Sequence, residues 1–361
     1  MFSRRSRSRP IPRCGPCRTS SSARTTRLWP RATRRGSRRS SSATWSGGSA
    51  ANPSRTRRGP TTSRRDSQLW EDSFPAMGTT VDVVVRSPER PLAAFASVRA
   101  WFGMVEARLS RFREGSAVWR VNRGEAIHDW MLAELARVAF AAWEATEGLV
   151  NPLILEALES AGYDESFERI QGPRGRLAAQ PVPHPSAAID IQGTTVRLKR
   201  GAIDLGGLAK GWAVDRAAEL LEGMGLDALV NAGGDLRAVG EEAPGAGGWM
   251  VAIERPDGTV MWEGTTNAAL ATSSAMRRRW PTTDGGWAHH LIDPRTGLPA
   301  NSPYVQVTVA AERCLWAEVW SKAILIGGPE TLQRASGNVS GVAAIRADGS
   351  VERWGCFDKG R

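Results

Sequence analysis

From Thr79 to Val85 the chain reads TTVDVVV, a β-branched alternating run that predicts a strand entered from the turn-like Pro75-Ala76-Met77-Gly78. Leu92 to Leu109 then carries apolar residues at the spacing of a long helix. The next stretch, LSRFREGSAVWRVNRG, is polar and contains glycine, which predicts a surface loop with one short helix. Helical spacing returns over Trp130 to Thr146, with Leu132, Leu135, Val138, Ala139 and Ala142 on one face, and Gly148 is its stop signal. Residues 172–188 hold four prolines and two glycines and read as a loop. Two strands follow, Ala188 to Ile191 and Thr195 to Leu198, with a turn at Gln192-Gly193.

The segment AIDLGGLAKGWAVDRAAELL, from Ala202 to Leu221, predicts an amphipathic helix. Val214, Ala217, Ala218 and Leu221 face inward, and Asp215, Arg216, Glu219 and Glu222 are expected to face water. Beyond its end at Gly223 or Gly225, LDALVNAGGDLRAVG reads as strand, glycine turn, strand. WMVAIE (249–254), Ala268 to Thr272, Val305 to Ala310 and Val342 to Ile345 predict further strands, and Leu315 to Ile326 a buried helix. The order is mixed, without regular βαβ repeats, so the expected class is α+β, with mixed sheets and packed helices around a cofactor cleft. No internal repeat is evident.

Charge changes this picture only at the amino terminus. The chain has 361 residues, 41% of them hydrophobic, and a net charge of +11. Residues 1–65 contain eighteen Arg and no Asp or Glu, which leaves 30 basic and 37 acidic side chains in the rest, a net −7. An acidic body argues against a DNA-binding domain. Residues 1–66 are rich in Arg, Ser, Thr, Pro and Gly and poor in aliphatic residues, so a disordered tail is expected, with a globular domain over 67–361. Acid-poor, Arg- and Ser-rich composition also fits a transit peptide, but Pro and Gly interrupt the helix such a peptide needs; upstream DNA translated from an overextended start is the preferred reading. No apolar signal region and no run of eighteen apolar residues is found, so a cytoplasmic protein without a transmembrane segment is expected. The four cysteines do not form a disulfide framework, and Cys14-x-x-Cys17 stands alone, without a second pair or a nearby His for zinc.

Four stretches and one helical pair could carry chemistry. Asp204-Leu205-Gly206-Gly207-Leu208-Ala209-Lys210-Gly211 sets glycines and a lysine at a helix N-terminus, where unpaired N–H groups attract anions; a packed turn is the alternative. Its spacing matches neither a Walker A motif nor a dinucleotide fingerprint. Asn231-Ala232-Gly233-Gly234-Asp235 is a second glycine turn, which a tight hairpin capped by Asp235 would equally explain. Ala271-Thr272-Ser273-Ser274 offers hydroxyls at a strand end, and His289-His290-Leu291-Ile292-Asp293-Pro294-Arg295-Thr296-Gly297 gathers a histidine, an acid, an arginine and a threonine in one turn. On the last helix, Glu318 and Lys322 stand at i, i+4 among Trp316, Val319, Trp320, Ala323 and Ile324, so the pair points into an apolar setting where charge needs partners.

Taken in order, MGTT, VWRVN, TEGLVNP, IDLGGLAKGWAVDRAAELL, LVNAGGD, ATSS, HHLIDPRTGLPA and AEVWSKA resemble the ApbE family of FAD:protein FMN transferases, from about Phe74 to Gly328. The resemblance implies a cleft that binds FAD and Mg²⁺, and transfer of FMN to a Thr or Ser hydroxyl of an acceptor flavoprotein with release of AMP. It implies that Met77 and Phe112 line the flavin or adenine site, that Leu149, Val150 and Asn151 pass beside the cofactor, and that Asp204, Lys210, Thr272, Asp293 and the backbone at Ile292 contact it. The glycines and Lys210 would hold the pyrophosphate. His290 is the candidate proton acceptor or orienting donor, because attack by a hydroxyl needs such assistance.

Metal ligation is implied for the carbonyl of Gly207, for Glu318 and for Ser321. Here the chain departs from the family pattern: Glu318 and Lys322 stand where the family usually presents Asp and Thr, Ser274 where Gly is common, and Asn151 where Asp is common. A charged lysine cannot ligate Mg²⁺ and repels it. Either the metal is held by Glu318, Gly207, Ser321 and phosphate oxygens, or the Lys322 ammonium replaces part of its charge. A flavin-binding protein without transfer activity, or a pyrophosphatase that splits FAD to FMN and AMP, is the alternative function.

Overall fold

The computed structural model describes residues 67–358, so the Arg-rich segment 1–66, with Cys14 and Cys17, lies outside the described residues. Its centre is an eight-stranded antiparallel sheet: β1 (Gln68–Ala76), β2 (Thr79–Ser87), β3 (Asp227–Ala232), β4 (Asp235–Val239), β5 (Ala269–Ser274), β6 (Tyr304–Ala311), β7 (Gly341–Arg346) and β8 (Val351–Gly355). Spatial order equals chain order, so the sheet is a meander into which everything else is inserted. The fold is α+β.

The side-chain period of two sends alternate residues to opposite faces, and here both faces are covered. Val81, Val83, Val85, Val230, Ala271, Val307 and Val309 face the helical layer, in which α1 (Leu92–Leu109), α3 (Ala209–Gly223) and α4 (Cys314–Gly327) pack on the sheet and α2 (Trp130–Ala145) packs on α1 and on a small second sheet. Val84, Leu229, Leu270, Ala310 and Ile345 face the other way, onto Trp249, Val251, Ile253 and Trp262 of the hairpin Trp249–Glu254/Val260–Thr266. Two covered faces explain why the central strands read as nearly unbroken apolar runs. The edge strands β1 and β8 carry acids, an arginine and a proline, QLWEDSFPA and VERWG, and leave much of their length partly exposed. Neither gives a strand signal, because an edge has only one neighbour to pair with and less surface to bury.

Two smaller units complete the fold. A three-stranded sheet joins Ile127–His128, Thr195–Leu198 and Ile189–Gln192, and a third cluster packs Leu158 and Tyr163 against Trp280 and Ile292. No described helix is long and apolar enough to cross a membrane.

One side chain of α3 behaves contrary to its helical-wheel position. Asp215, expected to face water, is fully buried. Its carboxylate accepts the backbone N–H groups of Cys314 at 2.9 Å and Leu315 at 3.0 Å and pairs with Arg237 at 3.1 Å. It thus caps α4 from a neighbouring helix, placing negative charge at the positive end of the α4 dipole, where α4's own N-cap residue, Arg313, supplies no side-chain acceptor. The helices meet closely at Gly211, where an added Cβ would lie 2.9 Å from Cys314 O, Leu315 Cα and Glu318 Oε2. Asp215→Ala would leave two helix N–H groups and a guanidinium without their carboxylate, so it is expected to cost roughly 3–5 kcal/mol, seen as a lower urea midpoint at unchanged m-value. A loss within 0.5 kcal/mol would show that water supplies the cap instead.

Candidate active site

One end of the sheet opens into a cleft of about 730 Å³, in the range of small-ligand sites. The hairpin turns at Met77-Gly78 and Gly233-Gly234 and the end of β5 at Thr272–Ser274 form one wall. The 204–210 segment leading into α3, Lys322 of α4 and the His290–Ile292 stretch form the other. All four motif stretches singled out in the sequence therefore converge here, although they lie up to about a hundred residues apart in the chain.

The cleft floor is a closed set of charges. Lys210 Nζ donates to Asp235 and, at 3.1 Å, to Glu318 Oε1. Lys322 Nζ donates to the same Glu318 oxygen at 2.9 Å, and the Gly211 N–H reaches Glu318 Oε2 at 2.8 Å. Burial works against the Glu318 charge, yet the Lys210 and Lys322 ammoniums and the Gly211 N–H hold its carboxyl down at about 2. Burial likewise opposes the Lys210 charge, and the Asp235 and Glu318 carboxylates outweigh it and raise Lys210 further. Burial raises Asp235 despite the Lys210 ammonium beside it. In sequence, Asp235 reads equally well as a hairpin cap; in the structure it is the partner of Lys210.

Most of the residues implied as cofactor contacts line this cleft: Met77, Phe112, Leu149, Val150, Asn151, Asp204, Lys210, Thr272 and Ile292. Several are already engaged. The Asn151 amide binds the backbone at Leu153 and Pro183, at 2.9 and 3.1 Å. Thr272 Oγ1 bonds Thr308 Oγ1 at 2.9 Å, and Asp204 accepts the Gly206 N–H at 2.6 Å while pairing with Arg111 at 2.7 Å. The Phe112 ring is 42% exposed at the mouth, with the Arg111 guanidinium 3.9 Å from its centroid. Asp293 does not line the cleft; its side chain accepts the Arg295 N–H at 3.0 Å and pairs with the guanidinium, which makes it a turn former.

His290 lines the cleft with its Nδ1 buried and without a hydrogen-bond partner among the described residues. Burial, with Arg278 and Lys322 nearby, pushes its pKa well below the ordinary 6.5, so the ring is neutral at pH 7. Arg277 and Arg278 also line the cleft, and no carboxylate lies within ion-pair distance of either among the described residues. The Arg278 guanidinium donates to Gly78 O at 2.9 Å, tying this segment to the first hairpin turn. Nothing in the AMRRRW run marks these arginines in sequence, since a basic triplet usually covers a solvated surface.

The metal-ligand set does not come together. Glu318 and Ser321 are fully buried and absent from the cleft wall. Both Glu318 oxygens are occupied by the donors described above, and Ser321 Oγ bonds Ser273 Oγ at 2.8 Å and Glu318 O at 3.0 Å. Of the three, Gly207 alone reaches the cleft, and Lys322 lies over it: a Cβ there would sit 3.1 Å from Lys322 Cε. No cluster of three or more His, Cys, Asp or Glu suited to a metal exists among the described residues. An ammonium against the one available carboxylate and against Gly207 repels a divalent cation, so these residues do not fit Mg²⁺.

An α+β frame with a charged cleft at the end of a meander sheet defines a class, and comparison with known proteins supplies the family. The ApbE family model matches residues 77–345, and the chain belongs to that family. It is 35% identical over 283 residues to an FAD:protein FMN transferase of Vibrio cholerae, covering 72% of this chain and 81% of that one. Against the Escherichia coli K12 protein of the same description it is 26% identical over 241 residues, covering 62% and 67%. Among solved structures, the ApbE protein of Thermotoga maritima superposes with a TM-score of 0.70 at 26% identity, covering 81% of this chain and 98% of that one. The flavin transferase ApbE of Vibrio cholerae gives 0.65 at 22% identity, covering 82% and 100%, which speaks to the fold alone.

The depressed Glu318 pKa makes a stability prediction. A carboxyl held near 2 in the fold and near 4.5 when unfolded stabilises fully above about pH 4.5 and loses that contribution as the pH falls toward 2. The stability gap between the native protein and Glu318→Gln should therefore shrink by about 2 kcal/mol between pH 5 and pH 3 in urea titrations. A gap that stays constant would remove Glu318 from the charge set.

Proposed function

We propose that the protein is an FAD:protein FMN transferase that seats FAD in this cleft and transfers its FMN moiety to a Thr or Ser hydroxyl of an acceptor flavoprotein. The acceptor oxygen attacks the phosphorus of the FMN half, the bond to the bridging oxygen of the pyrophosphate breaks, and AMP leaves. The product is a phosphodiester between acceptor and FMN. Family membership carries the reaction, and the cluster of Lys210, Lys322, Arg277 and Arg278 around one cleft carries the placement of the diphosphate. In-line transfer of this kind is catalysed mainly by positioning and by charge stabilisation on the phosphoryl oxygens.

Each wall has a task. Phe112, at the mouth, offers a ring face to stack a planar heterocycle, held in place by Arg111 and by Tyr163 at 5.8 Å. Asp204, fixed by Arg111 and the Gly206 N–H, keeps the loop before α3 open to the ligand. Neutral His290, with Nδ1 free, orients the acceptor hydroxyl and takes its proton as the new bond forms. No step is assigned to Mg²⁺, because the residues that would hold it do not fit it.

The direct test is intact-mass analysis of a Thr-containing acceptor domain after incubation with the full chain and FAD. The expected result is a mass gain of FMN less water, with AMP released. Free FMN and AMP beside an unmodified acceptor that a relative does label would make the protein a pyrophosphatase, and intact bound FAD would make it a binding protein. His290→Asn is expected to lower the labelling rate by about 10²–10⁴ with FAD affinity unchanged; unchanged labelling would move the proton acceptor elsewhere.

A further inference from the structure

We infer that this protein neutralises the diphosphate of its dinucleotide with its own side chains, Lys322 taking the place of a divalent cation, so that FAD binds without metal. The inference rests on the proposed reading of the cleft as an FAD site. Three observations carry it independently of any bound ion.

The first is occupancy. Glu318 is the only carboxylate among the suggested metal holders, and an ammonium from each of two lysines and a backbone N–H already fill both its oxygens. A metal entering there would have to displace a buried ion pair, which leaves uncompensated charge behind. The second is geometry. Lys322 runs from α4 across the face of Gly207, and its side chain is 16% exposed, on the cleft side. One of its three N–H donors goes to Glu318, which leaves donors for a phosphate oxygen. A Cβ at position 207 would lie 3.1 Å from Lys322 Cε, so a larger residue there would push the lysine methylenes aside.

The third is the supply of unpaired guanidiniums. Asp235 and Glu318 are matched by Lys210 and Lys322, and Asp204 is matched by Arg111. Arg277 and Arg278 remain on the cleft wall without carboxylate partners among the described residues. A dinucleotide diphosphate carries one negative charge on each phosphate, and these two guanidiniums are free to donate to it, although Asp82, Glu106, Glu168 and Glu254 also line the cleft without ion-pair partners among the described residues.

The test reads binding and not turnover: FAD affinity of the full chain, from quenching of flavin fluorescence, in Mg²⁺ and in EDTA. Affinities within about twofold of each other are expected. Lys322→Met should weaken FAD about tenfold or more in both buffers, since it removes a charge-assisted hydrogen bond, while Lys322→Arg should retain most of the affinity. Circular dichroism checks that both variants fold, and Arg278→Met offers a second site at which the same loss is expected. Binding that is strong in Mg²⁺ and at least tenfold weaker in EDTA overturns the inference and leaves the FAD reading intact, as does unchanged affinity in Lys322→Met. No binding in either buffer overturns the FAD reading, and the inference with it.

Discussion

Glu318 is the constraint on which the rest of the site depends. It is a carboxylate with no exposure, in the middle of an apolar helix, and it is tolerable there only because Lys210, Lys322 and the Gly211 N–H converge on it. Those three donors come from two helices, so satisfying one buried charge fixes how α3 and α4 sit against each other. Asp215 does the same one turn further along, binding the start of α4 from the side of α3. Gly211 stands one turn before Asp215 on α3 and allows the close approach of α4 that both carboxylates require.

From that contact the cleft follows. With α3 and α4 locked, Lys210 faces Asp235 at the β3–β4 turn, and the segment before α3 lies opposite the first hairpin. Arg278 bonds Gly78 O and ties the segment after β5 to the first hairpin turn. The chemical consequence is a pocket whose floor carboxylates, Asp235 and Glu318, are neutralised by lysines and whose wall carries two guanidiniums, Arg277 and Arg278, without carboxylate partners among the described residues. Those guanidiniums and Lys322 offer donors to an anionic group. The aromatic surface at Phe112 and Tyr163 then adds preference for a planar group.

Much of this was legible in the chain. Central strands such as TTVDVVV and LVNA and the helical spacing of Trp130 to Thr146 announce themselves, because burial on the sheet and helix faces demands those patterns. The edge strands β1 and β8 do not, because half of each faces solvent and acids are tolerated. The helical wheel failed at Asp215 because periodicity distinguishes faces and not partners: a polar position can face another helix's N-terminus as well as water. At the site, the glycine turns, Lys210, His290 and the hydroxyl strand end were readable as motifs. Asp293 lies outside the cleft lining, because an acid beside Pro and Arg has a local use in the turn itself. Arg277 and Arg278 carry no signal, since only the fold brings them to the same cleft as Lys322.

The central claim, that lysine stands in the place of a divalent cation, is tested most directly by anomalous scattering from crystals of the FAD complex grown with Mn²⁺. The account predicts the diphosphate against Lys322 and Arg278 with no anomalous peak between it and Glu318. A manganese peak bridging Gly207 O, Glu318 and the phosphates, with Lys322 swung away, would contradict it.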